Sequence, residues 1–134
     1  MDSKDFTHFM ETRKTASDSF VNGEPSPLEK ISTTNDPATL FGPKGDCLEG
    51  ASKVIAANNQ GADHFGAGGT NNFEVMHTAS SRDLAYWVGI QRSVVNVRGQ
   101  PARTPIDLRV TEIFRREQGK WKLVHRHADK LAAG

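Results

Sequence analysis

The last quarter of the chain, from Leu108 to Asp129, constrains the fold more than any other segment. Apolar and polar residues alternate there in two stretches, which are separated by Gln118-Gly119. Alternation with a period of two is typical of β-strands, and a two-residue interruption that contains glycine is typical of a tight hairpin turn. The sequence therefore predicts an antiparallel β-hairpin in this region.

The second strand of this hairpin has two chemically different faces, because side chains alternate across a strand. One face is mostly charged and is expected to lie in water: Lys122, Val124, Arg126, Ala128 and Lys130. The other face begins apolar and ends polar: Trp121, Leu123, His125, His127 and Asp129. The second set is expected to form the wall of a pocket with an apolar floor and a polar mouth.

The register of the hairpin adds a carboxylate to this wall. Counting back from a two-residue loop places Glu112 opposite His125. The inward residues of the first strand are then Leu108, Val110, Glu112 and Phe114. A three-residue, bulged loop would instead bring Arg109 and Thr111 beside the histidines. We favour the first register because it matches apolar with apolar residues.

Helical patterns come before the strands, and the order of the two indicates the fold class. Helices are predicted over residues 3–21, 28–32 and 51–59. Strands are predicted over residues 38–41, 73–79, 84–97, 108–116 and 120–127, and the glycine-rich residues 64–72 are predicted to be a mobile loop. This order predicts a single α+β domain over residues 1–134, with the helices on one face of a curved sheet. A small ligand is expected in the cleft between them.

Composition argues against several kinds of partner. Seventeen Lys+Arg oppose 16 Asp+Glu, so the formal net charge is only +1 and no single-sign field attracts nucleic acid or a membrane surface. No stretch is apolar enough for a transmembrane or secretory segment. One cysteine, Cys47, excludes an internal disulfide and fits a reducing compartment. We therefore expect a cytoplasmic protein that binds neither nucleic acid nor membranes.

Three segments resemble a known superfamily: ATLFGPKGDCLEG (38–50), SSRDLAYWVGIQR (80–92) and RVTEIFRREQGKWKLVHRHAD (109–129). Together with the order of elements, they resemble the nuclear transport factor 2-like superfamily, and the last is similar to the terminal hairpin of its SnoaL-like and DUF4440-type members. The resemblance implies a cystatin-like cone, in which N-terminal helices pack on a strongly curved, mostly antiparallel sheet. It also implies a homodimer formed through the outer face of the sheet.

Ketosteroid isomerases are one branch of this superfamily, and they resemble the chain around LFGPKG. Their general base is an aspartate directly before the proline, and that position is Gly42 here. A ketosteroid isomerase-like activity would therefore require a displaced base, Asp36 or Asp46, to reach the cavity.

The association domain of calmodulin-dependent kinase is a second branch, and it resembles the chain at Gly119-Lys120-Trp121 and at the His125/His127 pair. The position of its pocket arginine is occupied by Glu112 in this chain. The resemblance therefore does not predict an arginine-lined anion pocket here. The resemblance nevertheless supports a non-catalytic oligomerisation or adaptor domain as an alternative function.

His125, His127 and Glu112 are the candidate catalytic residues. A carboxylate beside an imidazole fixes its tautomer and raises its basicity, and the imidazole titrates near neutral pH. The alternative is a buried polar cluster that satisfies its own hydrogen bonds. The candidate ligand-binding residues are Trp121, Leu123, Phe114, Val110, Asp129, Arg92 and Tyr86.

The strand predicted over residues 84–97 is largely apolar on both faces, so the sequence does not decide which face points toward the helices. A strand of this kind is buried on both sides, which favours a partner subunit on the outer one. If Arg92 points inward it could bind a carboxylate or enolate of a ligand, and otherwise it forms a salt bridge to Asp107 or Glu112. The two histidines resemble half of a metal site, but no spacing supports a third ligand, so no metal or other cofactor is expected.

The leading hypothesis is a SnoaL-like homodimer that binds a small, partly apolar organic molecule in the cone. Proton transfer, cyclisation or hydration of that molecule is a further hypothesis, which depends on the candidate catalytic residues facing the cavity.

Overall fold

The computed structural model describes residues 3–133 of the chain. Its elements are α1 (Ser3–Phe20), α2 (Ser26–Ile31), β1 (Thr39–Phe41), β2 (Cys47–Glu49), α3 (Ala51–Ala62), β3 (Phe65–Ser80), β4 (Leu84–Val97), β5 (Thr104–Glu117) and β6 (Lys120–Lys130). The strands form one sheet in the order β2-β1-β6-β5-β4-β3, in which β1 and β6 are parallel and the other neighbours antiparallel. The predicted α+β architecture, with N-terminal helices on a curved and mostly antiparallel sheet, is confirmed.

The bounds of most elements agree with the predictions, but the glycine-rich residues 64–72 are not a loop. Residues 65–72 form the first half of β3, which pairs with β4. The register shifts between Gly66 and Thr70, and Gly68 has a φ of +93°, a conformation that glycine adopts without strain. The side-chain oxygen of Asn22 accepts hydrogen bonds from the backbone N–H groups of Gly68 and Gly69. The glycines therefore mark a bulge within a strand, where the prediction had placed a mobile loop before the strand.

Helix α1 lies on the inner face of the sheet through one buried stripe. Phe6, Met10, Arg13 and Ser17 follow one another at helical spacing and are each 7% exposed or less. Phe6 packs against Phe114 of β5, with ring centroids 5.3 Å apart. An arginine in the middle of a buried stripe is unusual, and it is the feature of α1 that matters for the site.

The inner face of β4 carries Trp87, Gln91 and Val95, which are between 0% and 6% exposed. The structure therefore shows which face of β4 points inward, a choice that the sequence did not decide. Tyr86 and Arg92 lie on the outer face, where Arg92 forms ion pairs with Glu74 and Asp107. The prediction that Tyr86 and Arg92 bind a ligand in the cone is therefore wrong, because the alternation of the strand turns both away from the helices.

Candidate ligand-binding cavity

A single extra residue in β6 determines which side chains face the inside of the cone. The hairpin turn at Gln118-Gly119 has two residues with positive φ, and the predicted pairing of Phe114 with Leu123 is confirmed. Beyond that pair the register shifts, because Ile113 pairs with His125 and Val124 is left as the extra residue. A bulge of this kind changes the face on which all later side chains of the strand lie.

The bulge reverses the predicted faces of the end of β6. Arg126 pairs with Glu112 and lies on the inner face, and Ala128 follows it there at 3% exposed. His125 and His127 lie on the outer face beside Phe41, with ring centroids 4.9 and 5.5 Å from its ring. The predicted register, with Glu112 opposite His125, is therefore wrong, and the two histidines do not share a wall with Glu112.

The cone encloses a cavity of about 110 Å³ between the helices and the sheet. This is several times the roughly 10–15 Å³ that one water molecule needs. Most of its wall is apolar, including Phe20, Val21, Leu28, Leu40, Val54, Phe65, Val95, Ile106, Leu108 and Leu123. Its charged or titratable lining residues are Arg13, His125 and Arg126, and no carboxylate of the described residues lines it. The cavity is thus mostly apolar, and one side of it is positively charged. This side, the cationic wall, is formed by Arg13 and Arg126.

The cationic wall is built on Glu112, which is completely buried on β5. Its carboxylate accepts hydrogen bonds from Arg13 Nε and Nη2 at 2.8 and 2.7 Å. It also accepts one from Trp87 Nε1 at 2.8 Å and one from Arg126 Nη1 at 2.7 Å. Four donors from two strands and a helix saturate both oxygens, so this carboxylate has no capacity left for a ligand.

The two arginines keep Glu112 ionised. Burial by itself would raise the pKa of Glu112, but the charges of Arg13 and Arg126 and their hydrogen bonds outweigh burial and lower the pKa from 4.5 to about 2. At neutral pH the cluster therefore contains two guanidinium cations and one carboxylate anion, a net charge of +1.

Arg126 presents this charge to the cavity. Its Nη2 donates to Gln91 Oε1 at 2.8 Å, and Gln91 is itself held by Asn71 Oδ1 at 3.0 Å. Burial lowers the pKa of Arg126, which agrees with its position deep in the fold. Its side chain nevertheless remains 17% accessible, and the residue lines the cavity. Arg13, by contrast, is 2% exposed and lies with its guanidinium carbon 5.3 Å from the centre of the Phe73 ring.

The predicted catalytic histidines have partners of their own outside the cationic wall. His125 Nδ1 is 2.7 Å from Thr39 Oγ1, and burial, with a further contribution from His127, lowers the pKa of His125. The side chain of His127 is 49% exposed and its Nε2 is 3.4 Å from Asp129 Oδ2. Asp129 is held by Arg109 in a two-pronged ion pair, and that hydrogen bond lowers the pKa of Asp129. His127 and Asp129 thus lie on the far side of the sheet, while His125 only borders the cavity, so the predicted ligand-binding place of Asp129 in the cone is also wrong.

Of the apolar residues predicted to bind a ligand, the structure brings only Leu123 to the cavity wall. Phe114, Trp121 and Val110 belong to the hydrophobic core. Trp121 packs edge-on against Phe6 and donates from Nε1 to Asp5 Oδ2 at 2.9 Å. These three side chains stabilise the cone, and the cavity lies beyond them.

Neither displaced-base candidate lies at the cavity. Asp36 Oδ1 accepts a hydrogen bond from the backbone N–H of Ala51 at the start of α3, and Asp46 lies against Gly42 in the turn between β1 and β2. Within residues 3–133, no group of three His, Cys, Asp or Glu side chains is arranged to hold a metal ion.

Sequence reasoning missed Arg13, Arg126 and Gln91, and a signal existed for one of them. Arg13 occupies an inward position of the apolar stripe of α1, where a charged residue requires a buried partner. Arg126 gave no such signal, because regular alternation assigns it to the solvent face.

The comparisons with known proteins agree with this geometry. The profile of the SnoaL-like domain matches residues 28–130, and a search of curated proteins finds no match. A proposed dehydratase of the nuclear transport factor 2-like family from Streptomyces avermitilis superposes with a TM-score of 0.79 at 16% identity, over 97% of this chain and 98% of that chain. The association domain of the calcium/calmodulin-dependent protein kinase II of C. elegans gives 0.70 at 15% identity, over 95% and 96%. At such identities the two structures show the fold alone.

A curved sheet closed by N-terminal helices around a cavity defines the cystatin-like, nuclear transport factor 2-like class, as the resemblance implied. Because the family profile covers well over half of its length, the chain belongs to the SnoaL-like domain family. No helix in the described part of the chain is long and apolar enough to cross a membrane.

Proposed function

We propose that the protein binds a small, partly apolar organic molecule in the cavity of the cone. One observation carries the proposal: a cavity of about 110 Å³ has apolar side chains over most of its wall and a hydrogen-bonded polar cluster on one side. Ligand sites have this character, since apolar walls supply most of the affinity and a few placed polar groups orient the ligand.

Binding is better supported than catalysis by the predicted catalytic residues. A carboxylate with a pKa of about 2 has little tendency to take up a proton at neutral pH, and all the acceptor positions of Glu112 are occupied. His125 borders the cavity, but its ring is bonded to Thr39 and packs against Phe41 on the outer face. Proton transfer, cyclisation or hydration would therefore need a base other than Glu112.

Filling the cavity is expected to abolish binding. Val95 is 1% exposed and lines the cavity, whereas its neighbour Val94 lies on the outer face of the same strand. We expect Val95→Phe to remove the thermal stabilisation that indole gives to the wild type, and Val94→Phe to retain it. A ligand at tenfold its Kd should raise the Tm by about 3–6 °C.

Differential scanning fluorimetry of the three proteins over an indole titration checks this prediction. Equal shifts in Val95→Phe and Val94→Phe would place any indole binding outside the cone. If no shift occurs in any protein, a panel of aromatic and keto-acid metabolites should be tested in the same way, and a flat response throughout would contradict the proposal.

A second candidate function, self-association through the outer face of the sheet, has one specific observation in its favour. Met76 of β3 is 71% exposed, which is a large exposure for an apolar side chain within a sheet. Met76 also lines an outer cleft together with Val88 and Ile90 of β4. The likeness to association domains supports this candidate at the level of the fold.

A charge in this surface is expected to prevent self-association. We expect the wild type to sediment as a dimer at micromolar concentration, and Met76→Glu to sediment as a monomer, because the glutamate carboxylate would lose its water on association. Gln100→Glu in the exposed β4–β5 loop is the control with an equal change of charge. A wild-type monomer at all concentrations in analytical ultracentrifugation would exclude this candidate.

The single cysteine supports a proposal about location. Cys47 is exposed on β2 and unpaired. An exposed free thiol persists best in a reducing compartment, so we infer that the protein works in one, such as the cytoplasm.

A further inference from the structure

We infer that the ligand of the cone is a small organic monoanion, and that its carboxylate is held by Arg126 with Arg13 in support. This inference rests on the proposed binding function and adds the chemical class of the ligand. Four properties of the cavity carry it: its charge, the uncommitted donors on its wall, the side chains that hold those donors, and the apolar remainder of its lining.

The charge of the wall is not neutralised by the protein. Arg13 and Arg126 contribute two positive charges and Glu112 contributes one negative charge, and the carboxylate forms ion pairs at 2.7 Å with both guanidinium groups. No carboxylate of the described residues lines the cavity to offset the remaining charge. His125 adds nothing to it at neutral pH, since its pKa is lowered. A buried charge without a counter-ion is unfavourable, and a bound anion would relieve it.

The two arginines of the cationic wall also have more N–H donors than the protein uses. A guanidinium group has five N–H donors. Arg126 uses two of them, on Glu112 and on Gln91 Oε1, and three are left for a ligand. Arg13 uses its Nε and Nη2 on Glu112, while its buried Nη1 has no hydrogen-bond partner among the described residues. Buried polar atoms without partners are rare in folded proteins and call for a partner from outside the chain.

The surrounding side chains hold Arg126 ready to bind. Its two terminal nitrogens are fixed by different acceptors, Glu112 and Gln91, so the plane of the guanidinium group is set before any ligand arrives. Gln91 is fixed in turn by Asn71 at 3.0 Å and approaches Ser17 at 3.4 Å. A preorganised donor loses little conformational entropy on binding and so favours affinity.

The size of the charge and the rest of the wall restrict the ligand further. One net positive charge is matched by a carboxylate, while a phosphate or phosphonate dianion would leave one negative charge unbalanced in a dry cavity. Beyond the arginines the wall is formed by side chains such as Phe20, Val54 and Leu108, which favour an apolar body. The expected ligand is therefore a compact aromatic or branched aliphatic carboxylate.

The test compares three probes of similar shape in the wild-type protein: phenylacetate, its neutral isostere phenylacetamide, and benzylphosphonate. Isothermal titration calorimetry at pH 8.5, where the phosphonate is a dianion, is expected to give roughly ten- to hundredfold tighter binding of phenylacetate than of phenylacetamide, the range for one charge-assisted hydrogen bond. Benzylphosphonate is expected to bind more weakly than phenylacetate. This comparison needs no variant, so it does not depend on whether a substituted protein folds.

Two variants of Arg126 and one matched control then assign the preference to Arg126. Arg126→Met should remove the preference for phenylacetate over phenylacetamide, and Arg126→Lys should restore part of it. Arg92→Met makes the same change on the outer face and should keep the wild-type ratio. Folding of each variant is checked by circular dichroism.

Each outcome decides something different. Equal affinity for phenylacetate and phenylacetamide would overturn the monoanion inference and leave the proposed binding function in place. Tighter binding of benzylphosphonate than of phenylacetate would overturn the restriction to a monoanion. Failure of all three probes would overturn the monoanion inference, and if the wild type also showed no response to indole or to the panel of aromatic and keto-acid metabolites, the proposed function would be overturned as well.

Discussion

The substitution Glu112→Gln is expected to lower the free energy of unfolding by about 3–5 kcal/mol, the range observed when one partner of a buried ion pair is removed. The amide is close in shape to the carboxylate, so packing against Trp87 is retained. Its NH₂ group, however, is a donor that would face the N–H groups of Arg13 and Arg126, and both guanidinium cations would be left buried without an anion.

Urea unfolding followed by circular dichroism measures this loss. The control is Glu74→Gln, which removes the carboxylate from the half-exposed ion pair with Arg92 on the outer face. Surface ion pairs contribute little to stability, so the control should unfold close to the wild type. Comparable losses in the two variants would mean that the Glu112 cluster does not have the energetic role that its burial indicates.

Acid is expected to unfold the protein in a window set by Glu112. The pKa of this group is depressed from 4.5 to about 2, so the unfolded chain binds the proton more readily than the folded one. The lowered pKa of Glu112 therefore stabilises the folded protein fully above pH 4.5, and this stabilisation is lost as the pH falls through 2. Its size is about 3 kcal/mol, from 1.36 kcal/mol for each pKa unit.

The difference between wild type and Glu112→Gln isolates this contribution. Asp5, Glu117 and Asp129 also have lowered pKa values, through their hydrogen bonds with arginines, and they are present in both proteins. The stability difference between the two proteins should therefore be constant above pH 5 and should shrink between pH 4.5 and 2. A difference that does not change with pH in that window would show that Glu112 has an ordinary pKa.

Much of the fold could be predicted from the sequence, because local patterns carry it. The strand over residues 84–97 was predicted with its observed bounds, and the hairpin turn at Gln118-Gly119 was predicted correctly. Both rest on side-chain alternation and on the positive φ that glycine tolerates, which are properties of a few neighbouring residues. The strand Cys47–Glu49 was missed because three residues are too short to show a period.

The candidate site was less predictable, and the reason is one residue. Alternation along β6 was counted correctly up to Leu123, and the inward face of β5 with Val110, Glu112 and Phe114 was predicted as observed. From Val124 onward the alternation no longer predicts the correct face, because a bulge adds one residue and no local sequence pattern indicates it. The same interruption sends His125 outward and turns Arg126 toward the cavity.

The sequence by itself determined the α+β fold, the family and the burial of Glu112, since all three follow from patterns that extend over many residues. The tertiary structure alone decided the chemistry of the cavity wall. Arg13 and Arg126 are 113 positions apart in the chain, and only the packing of α1 on the sheet, with the shifted register of β6, brings both onto one carboxylate. The face on which β6 places its charged side chains depends on packing and on backbone pairing across the whole sheet. No local sequence pattern predicts that balance.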